Sequence, residues 1–125
     1  TVMLRMSADE TVKRIKKAKT DSDRQITYDP ESRPEVANLL TIASQCTGRT
    51  PEEIAGEIGD KGAGTLKMMT AEALNEHLAP VRERRAELEQ DPAQLFAILR
   101  AGNERANDVA NQTLAKVREV MGMVY

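Results

Sequence analysis

The last third of this chain carries a hydrophobic repeat that constrains the fold more than any other feature. Between residues 95 and 120, apolar and small residues recur at steps of three and four, the spacing of one face of an α-helix. We therefore predict a long final helix, opened by Asp91-Pro92, that packs along its whole length. We number this predicted last helix, which begins at Asp91-Pro92, α5. The residues of its apolar face, here called the α5 seam, are Leu95, Leu99, Gly102, Ala106, Val109, Thr113, Val117 and Val120.

Short start signals predict the other helices. Ser7 with Glu10 has the spacing of a capping box, in which a serine or threonine and a glutamate three residues later bind each other's backbone amides. The same pattern recurs from Ser32 to Glu35, and Thr50-Pro51 opens a short helix. These signals predict helices over residues 8–19, from Pro34 to an end at Gly48, after Thr50, and after a glycine loop at 59–64, with Pro80 kinking or restarting the last of these.

Composition supports the same fold class. Only 2% of the residues are aromatic, and strand-forming residues never alternate over a strand-length run. We predict an all-α helical bundle of about five helices with a long C-terminal helix, forming one domain over residues 1–125.

Charge and cysteine content limit the chemistry. The net charge is -2, but residues 1–30 are locally basic. A single cysteine, Cys46, excludes an internal disulfide, and no apolar stretch or signal peptide points to a membrane, which predicts a cytoplasmic protein. Cys46 and His77 lack partners at metal-ligand spacing, and the 59–64 loop lacks the lysine of a phosphate-binding loop. We therefore expect no metal and no cofactor in this chain.

Two basic stretches are candidates for binding. Lys13, Lys16 and Lys17 fall on one side of the first helix, with Val12, Ile15 and Ala18 facing inward, and such a stripe suits either phosphate binding or a solvated helix end. Arg82, Arg84 and Arg85, mixed with glutamates, predict a surface helix with ion pairs. On the last helix, Asn103, Arg105 and Asn107 suit either nucleic-acid contacts or a solvated face. Stacking on bases would fall to the few aromatic residues, Tyr28, Phe96 and Tyr125.

Several short motifs occur in a specific order along the chain. Thr20-Asp21-Ser22, Tyr28-Asp29, and Arg33-Pro34 followed by Asn38-Leu39-Leu40 resemble the segment that follows the catalytic signature loop of bacterial tryptophanyl-tRNA synthetases. Leu78-x-Pro80-Val81-Arg82 and Ala101–Asn107 match further along. Arg5–Asp9 is similar to a degenerate Lys-Met-Ser-Lys-Ser loop, but Ser7 is already used there as a helix cap.

The resemblance implies the C-terminal helical, anticodon-binding region of a class I synthetase that lacks the catalytic nucleotide-binding domain. We expect this chain to position tRNA-Trp without catalysing a reaction, and assign no catalytic residue to it. The resemblance also implies a parent enzyme that is a homodimer and uses ATP and Mg²⁺. Alternatives are a free-standing protein-interaction module, or the non-catalytic half of a split enzyme. The residues expected to contact tRNA are Lys13, Lys16, Lys17, Arg24, Asn103, Arg105 and Asn107.

Overall fold

A computed structural model describes residues 1–123 of the chain. It contains five α-helices, and no strand occurs in the described part. The prediction of an all-α fold with about five helices and a long last helix is confirmed. The helices are α1 (Ala8–Lys16), α2 (Pro34–Thr47), α3 (Pro51–Ile58), α4 (Gly62–Gln90) and α5 (Pro92–Val120).

The chain divides into two compact units, the first covering Thr1–Glu83 and the second beginning at Arg84. The first unit holds the hydrophobic core, to which α1, α2, α3, the first half of α4 and the 17–33 loop all contribute. Its most deeply buried large side chains are Ile26, Leu39, Leu40, Ile54, Ile58 and Leu66. The assignment of a single domain to residues 1–125 stays a prediction.

Two helices begin with capping boxes: the predicted one at Ser7, and a second at Thr50, where only a helix start is predicted. Ser7 Oγ accepts from the Glu10 amide at 3.2 Å, while Glu10 Oε2 accepts from the Ser7 amide at 2.8 Å. Thr50 and Glu53 make the same reciprocal pair at the start of α3. This use of Ser7 confirms that Arg5–Asp9 serves as the lead-in to a helix.

The predicted cap of α2 is wrong. The residue at the N-cap position is Arg33, which makes no side-chain capping bond, and Pro34 occupies the first turn. Ser32 instead donates its amide to Asp29 Oδ1 at 3.0 Å. The far end follows the prediction, because Gly48 adopts φ 74°, a left-handed conformation that ends helices and favours glycine.

The bounds of α1 and α4 differ from those predicted. α1 stops at Lys16 and not at residue 19, because the Ala18 amide binds the Ile15 carbonyl three residues back, a tighter turn that closes the helix. α4 starts at Gly62, inside the predicted 59–64 loop, and continues through Pro80 to Gln90 without restarting. Leu78, just before Pro80, is buried at 6% exposure, so this part of α4 is still packed against the first unit.

The predicted packing of the α5 seam is wrong. α5 has no buried residue, and Leu99 and Val109 are 53% and 65% exposed. Periodicity correctly gave the helix and its apolar face, but a repeat does not specify a partner that covers the face. None of the described helices combines enough length and apolar character to cross a membrane.

Candidate functional site

The predicted basic surface lies on α1 and just beyond its end. Lys13 and Lys16 are exposed on α1, and Lys17 is the exposed C-cap residue. Within residues 1–123, none of the three has a carboxylate oxygen within 4.0 Å of its ammonium group. Their charges can therefore meet a phosphate, and they also lie at the negative end of the helix dipole, so both interpretations of this stripe agree with the structure.

The inward face of α1 is as predicted. Ile15 is 4% exposed and belongs to the core, and Val12 and Ala18 pack against that core as half-buried residues. This anchoring fixes which side of α1 faces solvent, and so fixes where its lysines point.

The loop that follows α1 is ordered by Arg33. Its Nε and Nη2 donate to Asp21 Oδ2 and Oδ1, each at 2.7 Å, and its Nη1 donates to the Gln25 carbonyl and to Thr27 Oγ1. We call this set the Arg33 clamp. The sequence does not reveal this clamp, since an arginine before a proline does not indicate which of several aspartates it will bind.

Aspartate turns and one apolar anchor complete the loop. Asp21, Asp23 and Asp29 each accept hydrogen bonds from backbone amides two or three residues further on. Ile26 is 2% exposed, and its amide donates to the Gly59 carbonyl at 2.8 Å, which ties the loop to the end of α3. Arg24 is exposed in this loop, as a phosphate contact would require, and it stays a prediction.

These hydrogen bonds shift the pKa values of the charged side chains in the loop. Hydrogen bonds from the Arg33 guanidinium hold the pKa of Asp21 below its ordinary value, and the same pairing raises the pKa of Arg33. The pKa of Asp29 is lowered chiefly by the Ser32 amide. Asp21 and Asp29 are therefore held as charged hydrogen-bond acceptors that shape the loop.

A second arginine cluster differs from its prediction at Arg82. Arg84 and Arg85 make the predicted surface ion pairs with Glu87 and Glu89. Arg82 instead turns inward, half-buried, and donates to the Met6 carbonyl, Asn75 Oδ1 and Thr11 Oγ1 at 3.0, 3.0 and 2.9 Å. Arg82 therefore joins α4 to Thr11 of α1 and to Met6, which precedes α1. These partners lie more than 70 residues away in sequence, so no local pattern could reveal the contacts.

The polar candidates of α5 lie in the second unit and are all exposed. Asn103 and Asn107 are four residues apart and share one side of the helix, whereas Arg105, two residues from each, points to the opposite side. The structure therefore brings the two asparagines together but not Arg105. The contacts of these three residues with tRNA stay predictions.

The aromatic residues considered for base stacking differ in exposure. Phe96 is 64% exposed, Tyr28 is half-buried against the core, and Tyr125 lies outside the described residues.

Residues suited to metal or nucleophilic chemistry are dispersed. Among residues 1–123, no three His, Cys, Asp or Glu side chains are grouped to hold a metal ion. Burial raises the pKa of the Cys46 thiol, the opposite of what an activated nucleophile needs.

The first unit also carries a groove of about 690 Å³. Its floor is apolar and comes from three helices, with Ile15 of α1, Leu39 and Ile42 of α2, and Leu74 of α4. Its polar lining includes Arg14, Lys17 and Asn38, all exposed. Lys17 therefore borders this groove, whereas Lys13 and Lys16 lie outside it.

Comparison with known proteins identifies the class. Residues 1–79 match the sequence model of the family described as tRNA synthetases class I (W and Y). That match covers more than half of the chain, and the chain belongs to this family.

Individual relatives are similar over almost the whole chain. Tryptophan–tRNA ligase 1 of Streptomyces coelicolor is 43% identical over 116 residues, which is 93% of this chain and 34% of the relative. Tryptophan–tRNA ligase of Mycobacterium leprae is 41% identical over 114 residues, and the mitochondrial enzyme of Dictyostelium discoideum is 34% identical over 118 residues. The chain spans about a third of the length of these relatives.

The family match overturns one prediction. The chain was expected to be a C-terminal, anticodon-binding part that lies outside the catalytic region of a synthetase. Residues 1–79, which include α1 to most of α4, instead match the class I synthetase model itself. The interpretation as a separate tRNA-positioning module is therefore wrong. It came from the resemblance of the ordered motifs, with the basic first helix as the expected tRNA contact. A basic helix in an all-helical chain does not distinguish an RNA-binding bundle from helices that belong to the synthetase body.

Proposed function

We propose that this chain is part of a tryptophan–tRNA ligase and works in the ATP-dependent joining of tryptophan to tRNA. The observation that carries the proposal is the 43% identity to the Streptomyces coelicolor ligase over 116 of 125 residues. Because at most nine residues fall outside that alignment, it includes residues from both units of the fold.

Within that ligase, the first unit acts as a rigid helical support. The Arg33 clamp fixes the 17–33 loop against α2, and Arg82 fixes the lead-in of α1 against α4. Fixed loops and helix starts preserve the positions of neighbouring parts of an enzyme, and small displacements of such parts cost activity. ATP and Mg²⁺ belong to the whole ligase in this proposal, as do a homodimeric state and a cytoplasmic location.

The exposed lysines of α1 are proposed as phosphate contacts of the assembled ligase. Lys13 and Lys16 lie on one exposed side of α1 and lack carboxylate partners within residues 1–123. Changing both to glutamate should raise the KM for tRNA. It should also reduce the slope of log affinity against log salt by about 1 per lost contact. Lys61→Glu, at an exposed lysine just before α4, is the matched control and should change neither quantity.

A chimeric ligase tests the main proposal. The matched third of the Streptomyces coelicolor ligase is replaced by the aligned residues of this chain, and charging of tRNA is measured with tryptophan and, separately, with tyrosine. We expect ATP-dependent charging with tryptophan and not with tyrosine, although the family includes both specificities.

Two controls make the outcome decisive. A chimera carrying Leu40→Asp, which places a carboxylate at a fully buried position, should be inactive because the first unit cannot fold. A folded chimera that charges tyrosine, or that charges nothing, would contradict the proposal. Circular dichroism and a cooperative thermal transition establish that the chimera is folded.

A further inference from the structure

The groove between α1, α2 and α4 has the composition of a protein–protein contact. Ile15 and Leu39 form a buried floor, and Ile42 and Leu74 extend it as half-buried side chains. The charged and polar groups lie at the rim. An apolar centre with a polar rim is the usual arrangement at protein interfaces, whereas small-molecule sites place several polar groups convergently inside the pocket.

The rim is positively charged and lacks an internal counter-charge. Arg14 and Lys17 line the groove, and within residues 1–123 neither has a carboxylate within 4.0 Å. Three other cations of this unit are paired with carboxylates: Lys19 with Glu35, Arg33 with Asp21 and Arg49 with Glu57. The groove therefore offers two unpaired cations beside apolar surface, although the whole chain is acidic at -2. Such a surface selects a partner that combines apolar side chains with carboxylates.

We propose that this groove seats an apolar, acidic polypeptide segment from the remainder of the ligase. The inference rests on the proposed function, because the relatives are about three times as long as this chain and so hold further polypeptide that could fill the groove. One or two apolar side chains would cover Ile42 and Leu74, and an aspartate or glutamate would pair with Arg14 and Lys17.

Protection of an introduced thiol measures whether the groove is covered. Asn38, exposed at the rim, is changed to cysteine both in the 125-residue chain and in the chimeric ligase. The rate of modification by a maleimide is followed by mass spectrometry with fragmentation that places the adduct on residue 38, because the native Cys46 is also a free thiol and lies on the same peptide. We expect modification in the chimera to be at least about tenfold slower than in the chain alone. Glu52→Cys, exposed on α3 and away from the groove, should react at similar rates in both.

Charge reversal tests the chemistry of the partner. Arg14→Glu with Lys17→Glu should remove most of the protection of Asn38→Cys in the chimera, because the acidic segment would meet like charges. Lys13→Glu with Lys16→Glu makes the same change of charge on the same helix outside the groove, and should leave the protection intact.

The outcomes separate this inference from the proposed function. Equal reactivity of Asn38→Cys in chain and chimera, or equal protection of residues 38 and 52, would overturn the groove assignment even if the chimera charges tRNA with tryptophan. Protection that is insensitive to charge reversal at residues 14 and 17 would overturn the acidic character of the segment. A folded chimera that protects residue 38 but charges no tRNA would support the groove assignment and count against the proposed activity alone.

Discussion

Arg33 binds Asp21 through two parallel hydrogen bonds of 2.7 Å, Nε to Oδ2 and Nη2 to Oδ1, across twelve residues of sequence. The arginine side chain is 12% exposed and the aspartate 37%, so the pair is partly shielded from water. The same guanidinium binds the Gln25 carbonyl and Thr27 Oγ1. One side chain thus determines the path of the loop between α1 and α2.

The first prediction concerns the stability that the Arg33 clamp provides. Arg33→Ala should lower the free energy of unfolding by about 2–3 kcal/mol, because it removes charge-assisted hydrogen bonds and leaves their acceptors without a donor. Arg33→Lys should lose most of the same stability, since an ammonium group cannot make the paired contact to Asp21. Urea-induced unfolding followed by far-UV circular dichroism measures both.

Arg49 supplies the control for this prediction. It pairs with Glu57 at 2.6 Å, but both side chains are about half exposed, 42% and 52%. Arg49→Ala should therefore change stability by less than about 0.5 kcal/mol. If Arg33→Ala cost no more than Arg49→Ala, the clamp would not be a significant source of stability.

The second prediction is the pH dependence of the same pair. The folded-state pKa of Asp21 lies below its ordinary value of 3.8. Its contribution to stability is therefore fully present above that value and is lost as the pH falls through the lower, folded-state pKa. Asp21→Asn should be clearly less stable than the unaltered chain near neutral pH, and the difference should shrink in acid as the native carboxyl group becomes protonated.

Chemical unfolding at intervals from about pH 7 to about pH 2.5 tests this sign. Other carboxylates with lowered pKa values, Glu10, Asp29 and Glu53, titrate in both proteins and so cancel in the comparison. A difference between the two proteins that stayed constant over this range would show that the charge on Asp21 is not what Arg33 recognises.

What could be predicted from the sequence depended on the range of the contacts. The capping boxes at Ser7 and Thr50 join residues three apart, so their local spacing specifies them. The Arg33 clamp spans up to twelve residues and the Arg82 contacts span up to 76, so both exist only after the chain has packed. Side chains of this kind look like surface residues in the sequence, which is why Arg82 was assigned to a solvated helix.

The third prediction concerns the contact between Arg82 and Thr11. Thr11 is fully buried, donates to the Ser7 carbonyl and accepts from Arg82 Nη2. Thr11→Val should cost about 1–3 kcal/mol, because it leaves a half-buried guanidinium donor without its acceptor. Thr70→Val is the matched control, since Thr70 is equally buried but donates only to backbone carbonyls of Leu66 and Leu39, and it should cost about 1 kcal/mol or less.

A double-mutant cycle separates the Arg82–Thr11 contact from general damage to packing. Arg82→Ala alone should be destabilising, and adding Thr11→Val to it should cost less than Thr11→Val costs in the unaltered chain. We expect a coupling energy of about 1 kcal/mol. Additive costs from the two changes would mean that the residues do not act together.

Charge and helical periodicity predicted only the part of the candidate site that lies on one helix. Lys13 and Lys16 are exposed where the helical spacing placed them, and Ile15 is buried beneath them. The groove beside them combines side chains from α1, α2 and α4, and this meeting of distant segments has no counterpart in the sequence. In the α5 seam the sequence pattern was clear, but a helical repeat does not say whether anything covers the apolar face.

The fourth prediction contrasts that seam with the core. Leu40 is 0% exposed within the first unit, whereas Leu99 on α5 is 53% exposed. Leu40→Ala should cost about 2–5 kcal/mol, since it removes buried methyl groups and leaves a cavity. Leu99→Ala should change the stability of the 125-residue chain by less than about 0.5 kcal/mol, because the side chain has little packing to lose and alanine favours the helix. Urea-induced unfolding of the two variants beside the unaltered chain measures the difference.

A cost for Leu99→Ala that approached the cost of Leu40→Ala would mean that the α5 seam is covered in solution, by another part of the chain or by a second copy. An unfolding midpoint that depended on protein concentration would identify the second copy as the cover.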